Sequence, residues 1–418
     1  MMTARAVATE TIRRVQDDSA WASRVLDMEI GRAGLDARDA AFATGIVYGT
    51  LRCLVSIDRL IDSHAEKTDP IVRSILRCAV FEILYLDRVP IRAAVHEAVD
   101  LAHAARGPRV AGFVNAVLRK IERPDPVEEP TLELPKWIRD RLKRSVGAER
   151  AAAYRGAKAP LDIRLYVDRD AWLVTLAEHR PDVHAERFGL RGVRLHGGGD
   201  PRLFPGFDEG AFVVQEGGSQ MISECVGALP GQRVADCCAG RGGKTVALAD
   251  AVGPTGHVSA IEIHEARVEQ IAPAFARLGL KTSLSAETVD LSVGTGGLEA
   301  DFDHVLVDAP CSGLGTVHRR PEILLRLSAD DLPELVELQR AITRNASRLV
   351  KPGGTLTYAV CSFAKDEGVS AMSPLEDELK TAGFESVALP GSDDDGWLRL
   401  GPWCDTDGYQ VRQWKRRG

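Results

Sequence analysis

The feature that most constrains this chain is a short apolar run that ends in an aspartate and leads into Pro-Cys. Residues 303–308 read Asp-His-Val-Leu-Val-Asp, a β-branched run typical of a buried parallel strand. Pro310 then ends the strand, and Gly313 permits a turn. Because ligands of open α/β sheets bind at the carboxyl ends of the strands, Asp308 and Cys311 are expected to face the same crevice.

Residues 355–362 form a second run of this kind, Thr-Leu-Thr-Tyr-Ala-Val-Cys-Ser, which places Cys361 at the end of another predicted strand. Two interpretations remain open at this point. Free cysteines are often buried structural residues, and the spacing alone supports that interpretation as well as a functional one. In the functional interpretation, two strand-end thiols and one strand-end carboxylate form a single chemical site.

The composition is that of an ordinary globular protein and argues against several classes. The chain has 418 residues, 44% apolar and 27% charged, so two or three domains are expected. The absence of a long apolar stretch and of a signal sequence predicts a cytoplasmic protein without a membrane partner. The eight cysteines include no CxxC pair, so no metal site is expected. A formal net charge of −7 argues against a general cationic coat for nucleic acid, but a local basic groove is compatible with it.

Residues 1–126 are predicted to form an all-α domain. Apolar side chains recur at helical spacing, and Asp69-Pro70 has the form of a helix start. Four segments resemble NusB-type RNA-binding domains in amino-acid sequence, order and spacing: residues 38–42, 48–52, 86–90 and 112–119. The resemblance implies a helical bundle that contacts RNA.

Residues 127–210 are predicted to contain a linker, a basic helix and a small α+β module. The linker is stiff and acidic because prolines and glutamates share residues 124–130. The segment 136–155 carries seven basic residues on a helix that also has an apolar side, which includes Ile138 and Leu142. Its cationic side either binds phosphate groups or is only solvated, and the sequence favours neither.

The pattern from residue 211 to 418 is α/β. A strand at 234–238 leads into a glycine-rich loop and a helix, so the backbone can approach a ligand and the helix end favours negative groups. Acidic residues lie near the ends of four successive predicted strands: Asp236, Glu262, Asp290 and Asp308. This repetition favours an adenosine-bearing cofactor. NAD is the competing cofactor, but the loop lacks the GxGxxG order, and strand-end thiols suit methyl transfer to a pyrimidine.

With both cysteine segments considered, the chain resembles the Sun-type RNA cytosine-5 methyltransferases over almost its whole length. The motifs that carry the resemblance are residues 308–313, 318–323, 351–354 and 361–362, together with Gln339. The resemblance implies a class I, Rossmann-like methyltransferase domain with a seven-stranded sheet, preceded by the NusB-like bundle and the small α+β module. It also implies S-adenosyl-L-methionine as the cofactor and RNA, with 16S small-subunit ribosomal RNA as the expected species, as the partner.

The resemblance also assigns cofactor-binding residues. The expected cradle for the methionine part of the cofactor is Cys238, Ala239, Gly240, Arg241, Gly242, Gly243 and Lys244. Glu262 is expected to hold the ribose hydroxyls, and Asp290 to lie near the adenine. Asp308 is expected to reach both the cofactor and the target base.

Three catalytic residues follow from the same resemblance: Cys361, Cys311 and Asp308. The C5 atom of cytosine becomes nucleophilic only after a group adds to C6, and a thiolate does this well. Cys361 is expected to be that nucleophile, and Cys311 to assist release of the product. Asp308, if it is protonated, is expected to protonate or hydrogen-bond N3 of the base.

The implied function is methyl transfer from S-adenosyl-L-methionine to C5 of a cytosine in RNA, and alternatives accompany it. The glycine loop has Arg241 where the family usually has proline, and the tail at 407–411 lacks the family's paired aromatics. These departures suggest an RNA-binding protein with a catalytically silent methyltransferase domain. A second alternative is a cytosine-5 methyltransferase that acts on another RNA. A DNA-type enzyme would use Cys311, rather than Cys361, as the nucleophile.

Overall fold

The computed structural model describes residues 2–18, 20–65, 67–154, 160–197 and 199–418. Its α-helices are α1 (Ala4–Asp17), α2 (Ala22–Ala33), α3 (Ala37–Arg52), α4 (Leu54–Asp62), α5 (Pro70–Tyr85), α6 (Ile91–Arg106), α7 (Pro108–Leu118), α8 (Lys136–Ala153), α9 (Arg169–His179), α10 (Gly217–Cys225), α11 (Gly243–Val252), α12 (Glu265–Val268), α13 (Ile271–Arg277), α14 (Ile323–Arg326), α15 (Leu332–Ser347) and α16 (Val369–Thr381). Its β-strands are β1 (Leu161–Leu165), β2 (His184–Phe188), β3 (Gly192–His196), β4 (Phe212–Val214), β5 (Arg233–Cys237), β6 (His257–Glu262), β7 (Ser283–Thr288), β8 (Phe302–Asp308), β9 (Val350–Val360), β10 (Phe384–Val387), β11 (Leu398–Leu400) and β12 (Tyr409–Arg416).

The chain divides into two compact units, and each is built from separate stretches of sequence. The first comprises the described residues within Met1–Asp140, Ala151–Ala157 and Val317–Ser328. The second comprises those within Arg141–Arg150, Lys158–Thr316 and Ala329–Gly418. The three domains expected from the sequence, 1–126, 127–210 and 211–418, have other boundaries than these units and stay predictions.

In the first unit, α1 to α7 form an all-α bundle, which confirms the helical prediction for this segment. Fully buried side chains such as Val7 and Ile46 belong to one continuous apolar core. The predicted helix start is the first turn of α5. Asp69 caps this helix by accepting a hydrogen bond from the Ile71 amide, and Pro70 is its first residue.

The segment Val317–Ser328 belongs to the first unit, although the sequence motifs assign it to the methyltransferase part. Glu322 in this segment is buried, and its Oε1 atom accepts a hydrogen bond from the Ala22 amide over 3.3 Å. The guanidinium carbon of Arg326 lies 3.9 Å from the ring centre of Trp21, which is a cation–π contact. The first unit is therefore discontinuous in sequence.

Helix α8 is the basic helix predicted at 136–155. The helix ends at Ala153, and Gly147 interrupts it with a non-helical backbone (φ 84°), while Arg155 lies outside the described residues. Ile138 and Leu142 are buried, whereas four of the five basic side chains of the first part are exposed: Lys136, Arg139, Lys143 and Arg144. The helix thus has the predicted apolar and cationic sides, and phosphate binding stays a prediction.

In the second unit, β1 to β4 form a small antiparallel sheet in the order β2-β3-β1-β4, with α9 packed on it. Trp172 and Leu176 of α9 share an apolar core with Ile163 and Val193 of the sheet. This arrangement confirms the small α+β module. Strand β4 pairs with β1, so the sheet extends past residue 210, the predicted end of that module.

The larger sheet of the second unit has seven strands in the order β10-β12-β9-β8-β5-β6-β7. The five strands from β9 to β7 in this order are parallel, and β12 joins β9 in the antiparallel direction. This order confirms the Rossmann-like prediction, with one addition: the short strand β11 pairs with β12 and brings the sheet to eight strands. The strand order reverses direction between β5 and β8, where open α/β sheets bind their ligands.

Among the described residues, no single helix is long and apolar enough to cross a membrane. The pair α3 and α4, bent by 75° at their junction, passes the same test of length and composition.

Candidate active site

Most of the predicted site residues lie at or near the carboxyl ends of four neighbouring parallel strands. Asp308 is the last residue of β8, and Glu262 is the last residue of β6. Cys361 directly follows β9, and Cys238 directly follows β5. Because β9, β8, β5 and β6 are adjacent in the sheet, these four side chains lie along one edge, as the sequence predicts.

The two strand-end thiols meet. The Sγ atoms of Cys311 and Cys361 are 3.2 Å apart, and both side chains are half-buried. The hydrogen bond to Cys361 raises the pKa of Cys311 well above its usual range, and burial and the nearby charges of Cys361 and Glu367 act in the same direction. Cys311 therefore holds its proton more firmly than an ordinary cysteine does.

Asp308 is paired with a lysine in the first turn of α11. The Lys244 Nζ atom lies 2.5 Å from Oδ2 of Asp308, and both side chains are mostly buried. Burial lowers the pKa of Lys244, but the charge of Asp308 and the hydrogen bond to it act more strongly, so the pKa of Lys244 is raised. The sequence-based role of Asp308 at N3 of the base stays a prediction.

The glycine-rich loop forms a tight turn before α11. Cys238, Gly240 and Gly242 all have positive φ angles, of 64°, 59° and 85°. A positive φ favours glycine, so the Cys238 backbone is held in a sparsely populated conformation. The Gly240 amide donates a hydrogen bond to Oε2 of Glu262 over 2.9 Å, which fixes the loop against the end of β6. The side chain of Arg241 is exposed.

Four carboxylates surround this loop. Burial raises the pKa of the Cys238 thiol, and the charges of four acidic residues act in the same direction: Asp308, Glu262, Asp236 and Asp290. All four strand-end acids of the sequence prediction are thus close enough to act on one thiol. Asp290 lies two residues beyond β7, and its Oδ1 atom accepts hydrogen bonds from the amide and hydroxyl of Ser292.

This set of side chains fits S-adenosyl-L-methionine. The cofactor carries a cationic sulfonium and amine, which an acidic surround favours, and ribose hydroxyls, which donate to carboxylates. Glu262 already accepts hydrogen bonds from Gly240, His264 and Arg267, but its two oxygens have about four acceptor positions.

Among the residues that the structure describes, no group of three or more His, Cys, Asp or Glu could hold a metal ion.

Asp236 is a buried acid with a single hydrogen-bond donor. The Thr245 hydroxyl donates to its Oδ2 atom over 2.6 Å, while Oδ1 is buried without a hydrogen-bond partner. Burial raises the pKa of Asp236 to about 7, against the opposing effects of Thr245 and Lys244. Asp236 therefore titrates near neutral pH in the folded protein.

This titration predicts a pH-dependent cost to stability. The pKa of Asp236 is about 7 in the fold and about 3.9 in an unfolded chain. The cost is absent below about pH 4, grows as pH rises to about 7 and is constant above that, at most about 4 kcal/mol. Asp236→Asn removes the titration, so only the wild type is expected to lose this stability as the pH rises. The difference in the free energy of unfolding, variant minus wild type, should therefore increase by a few kcal/mol from pH 4.5 to 7.5. Denaturant unfolding at both pH values measures it, and a difference independent of pH contradicts the prediction.

Two features of the site were missed by the sequence analysis. Lys244 was assigned to the methionine part of the cofactor, and its partner Asp308 lies 64 residues away, a pairing that no local pattern reveals. Glu367 is fully buried behind the thiols, yet it follows Lys365 and Asp366 in a segment that looks like an exposed turn. Its position six residues after Cys361 was the only available signal.

Comparisons with known proteins agree with this fold. The model of the NusB family matches residues 2–123, and the model described as 16S rRNA methyltransferase RsmB/F matches residues 226–389. A protein of Bacillus subtilis (strain 168) named "Probable ribosomal RNA small subunit methyltransferase B" is 30% identical over 446 residues. The alignment covers 99% of this chain and 99% of that protein.

Two solved structures are similar over large parts of the chain. The structure described as "Crystal Structure of PH0851" has a TM-score of 0.84 at 25% identity and covers 99% of this chain and 98% of its own. NSun6 from Pyrococcus horikoshii with SFG has a TM-score of 0.58 at 17% identity, over 68% of this chain and 98% of its own, which shows the fold alone. The chain therefore belongs to the family of ribosomal RNA small subunit methyltransferase B, S-adenosyl-L-methionine-dependent RNA methyltransferases that carry an N-terminal NusB domain.

Proposed function

We propose that the chain methylates C5 of a cytosine in small-subunit ribosomal RNA, through a transient bond between Cys361 Sγ and C6 of the base. The observation that carries this proposal is the 3.2 Å contact between the Sγ atoms of Cys361 and Cys311, at the sheet edge that also holds the Asp308–Lys244 ion pair. A ring carbon needs a nucleophile to activate it, which an RNA oxygen or amine does not. S-adenosyl-L-methionine, when bound, supplies the methyl group.

The first step falls to Cys361. As the thiolate, it adds to C6 and forms the S–C6 bond, and the electron pair of the C5–C6 double bond moves onto the ring, which makes C5 nucleophilic. Lys244 lies close enough to Cys361 for their charges to interact, and this interaction acts to raise the pKa of Lys244. Asp308 and Lys244 offer an acceptor and a donor beside the thiols for the polar edge of the base.

The last step falls to Cys311. Once Cys361 is bonded to C6, its sulfur carries no negative charge and no longer accepts a hydrogen bond from Cys311. Both the charge and the hydrogen bond raise the pKa of Cys311 in the free protein, so their loss makes Cys311 easier to deprotonate. Cys311 then loses its proton to water and accepts the proton from C5. The C5–C6 double bond forms again, and the S–C6 electron pair returns to Cys361 as a thiolate.

The RNA substrate is supported by the N-terminal unit and by the named relatives. The NusB family model covers 2–123, and α8 exposes basic side chains that can contact phosphates. The Bacillus subtilis relative is named for the small ribosomal subunit. Action on ribosomal RNA is compatible with the cytoplasmic location that the sequence analysis expects.

The test is to map 5-methylcytosine in ribosomal RNA from cells with and without the gene. We expect one or more sites in the small-subunit RNA to lose 5-methylcytosine when the gene is removed, and to regain it when the gene is restored. Unchanged small-subunit RNA, with a site lost from another RNA, would assign the enzyme to that RNA instead.

Cofactor binding separates this proposal from the alternative of a catalytically silent domain. Arg241 departs from the usual loop sequence, but its side chain is exposed and the loop keeps its turn through Gly240 and Gly242. We therefore expect calorimetry to detect S-adenosyl-L-methionine binding by the purified protein. A pocket that binds no cofactor at saturating concentration supports the silent alternative.

A further inference from the structure

A buried carboxylate joins the two loops that carry the reactive thiols. Oε1 of Glu367 accepts a hydrogen bond from the Ser312 amide over 2.7 Å, and its Oε2 accepts one from the Ser312 hydroxyl over 2.5 Å. The Ser312 hydroxyl also lies 3.2 Å from the hydroxyl of Ser362. Ser312 follows Cys311 and Ser362 follows Cys361, so the Ser312 hydroxyl, which contacts Glu367, links the neighbours of both thiols.

Two further side chains hold this carboxylate in place. The Gln339 amide donates to Oε1 of Glu367 over 3.1 Å and to the carbonyl of Pro310 over 3.0 Å. The Tyr358 hydroxyl donates to the backbone carbonyl of Glu367 over 2.7 Å and contacts Oε1 of Gln339. Glu367, Gln339 and Tyr358 are fully buried. A network whose members are all satisfied in this way is rigid, and each of its hydrogen bonds restricts the loops.

We propose that Glu367 is a positioning residue for the reaction: it holds the Cys311 loop against the Cys361 loop and acts on Cys311 by its negative charge. The inference rests on the proposed function, because it assigns Glu367 to the release step of that reaction. The charge has a defined direction of effect. A buried anion near a thiol disfavours the thiolate, so Glu367 keeps Cys311 protonated at rest and makes it a stronger base once it has lost its proton.

Glu367→Gln separates the charge from the hydrogen bonds. The Gln carbonyl can accept from the Ser312 amide and Gln339, and its amide can donate to the Ser312 hydroxyl, which then donates to Ser362. In the RNA-free protein, we expect alkylation of Cys311 by iodoacetamide at pH 8 to become several-fold faster, because removing the charge of Glu367 lowers the pKa of the thiol. Peptide mass spectrometry reads each cysteine separately.

Glu367→Asp is the matched control, because it keeps the charge but shortens the reach to Ser312. If charge is the cause, the Asp variant alkylates Cys311 at close to the wild-type rate while the Gln variant is faster. An equal acceleration in both variants means that loosened loops expose the thiol, and it overturns the proposed effect of the Glu367 charge on Cys311. Glu378→Gln, on the exposed part of α16, is the surface control and is expected to change nothing.

The RNA assay completes the test. With Cys311 a weaker base, release slows, so the Glu367→Gln variant is expected to accumulate several times more denaturation-resistant protein–RNA adduct than the wild type. Wild-type levels of adduct in this variant contradict the assigned role in release. Failure of the proposed function is distinguishable: the wild type then methylates no RNA, whatever the alkylation rates of the RNA-free variants show.

Discussion

Cys361→Ala is expected to abolish both methyl transfer and any covalent protein–RNA adduct, whereas Cys311→Ala is expected to trap the adduct. Loss of the nucleophile blocks the first step, so activity should fall by at least about 10³-fold. Loss of Cys311 leaves Cys361 able to attack but removes the acceptor for the C5 proton. In the free protein, the Sγ atom of Cys311 lies 3.2 Å from that of Cys361. The adduct should survive denaturing gel electrophoresis with labelled RNA.

The control for this pair is Cys404→Ala, since Cys404 is an exposed cysteine of the same unit. It should methylate RNA as the wild type does. Two structural cysteines at 311 and 361 would give variants that lose stability and trap no RNA. Adducts that disappear only in Cys311→Ala would transfer the role of nucleophile to Cys311, as in DNA cytosine-5 methyltransferases.

Gly315→Ala is expected to inactivate the enzyme through the backbone. A Cβ atom at Gly315 would lie 1.8 Å from the carbonyl oxygen of Gly408, which is backbone and cannot rotate away. The Gly315 amide also donates to the Cys361 carbonyl over 3.0 Å, so any displacement moves the proposed nucleophile. We expect the free energy of unfolding to fall by about 3 kcal/mol and RNA methylation to fall at least about 10²-fold.

Denaturant unfolding and a single-turnover methylation assay measure these two effects. Gly294→Ala is the matched control, because a Cβ atom there meets nothing within 4 Å. It should leave both quantities close to wild type. A stable Gly315→Ala variant with full activity would show that the contact between Gly315 and Gly408 is not required.

The sequence predicts those parts of the fold that depend on short periodic patterns. The run around Val305 and Val307 predicts a buried strand because both neighbours in a parallel sheet exclude water, and β8 is that strand. The placement of Asp308, Cys311 and Cys361 near strand ends follows from the same patterns. Their common edge depends on strand order, which the family resemblance supplied and the periodicity did not.

The rest could not be predicted because it depends on pairs that are distant in sequence. Lys244 and Asp308 are joined across 64 residues, and Glu367 reaches Ser312 across 55. A buried charged residue cannot be told from an exposed one in a sequence. The desolvation cost of burying it is offset only by partners that lie far away along the chain.

The discontinuity of the first unit affects how such a chain can be divided or recombined. Val317–Ser328 lies between the segments that carry Cys311 and Cys361. Its buried Glu322 accepts a hydrogen bond from the Ala22 amide, and Trp21 lies against Arg326. A deletion that removes the N-terminal helices also removes these partners. A gene fragment cut at the proline-rich linker therefore encodes an incomplete protein, and a NusB-like segment from another protein can replace this one only if it recreates the site that receives Val317–Ser328.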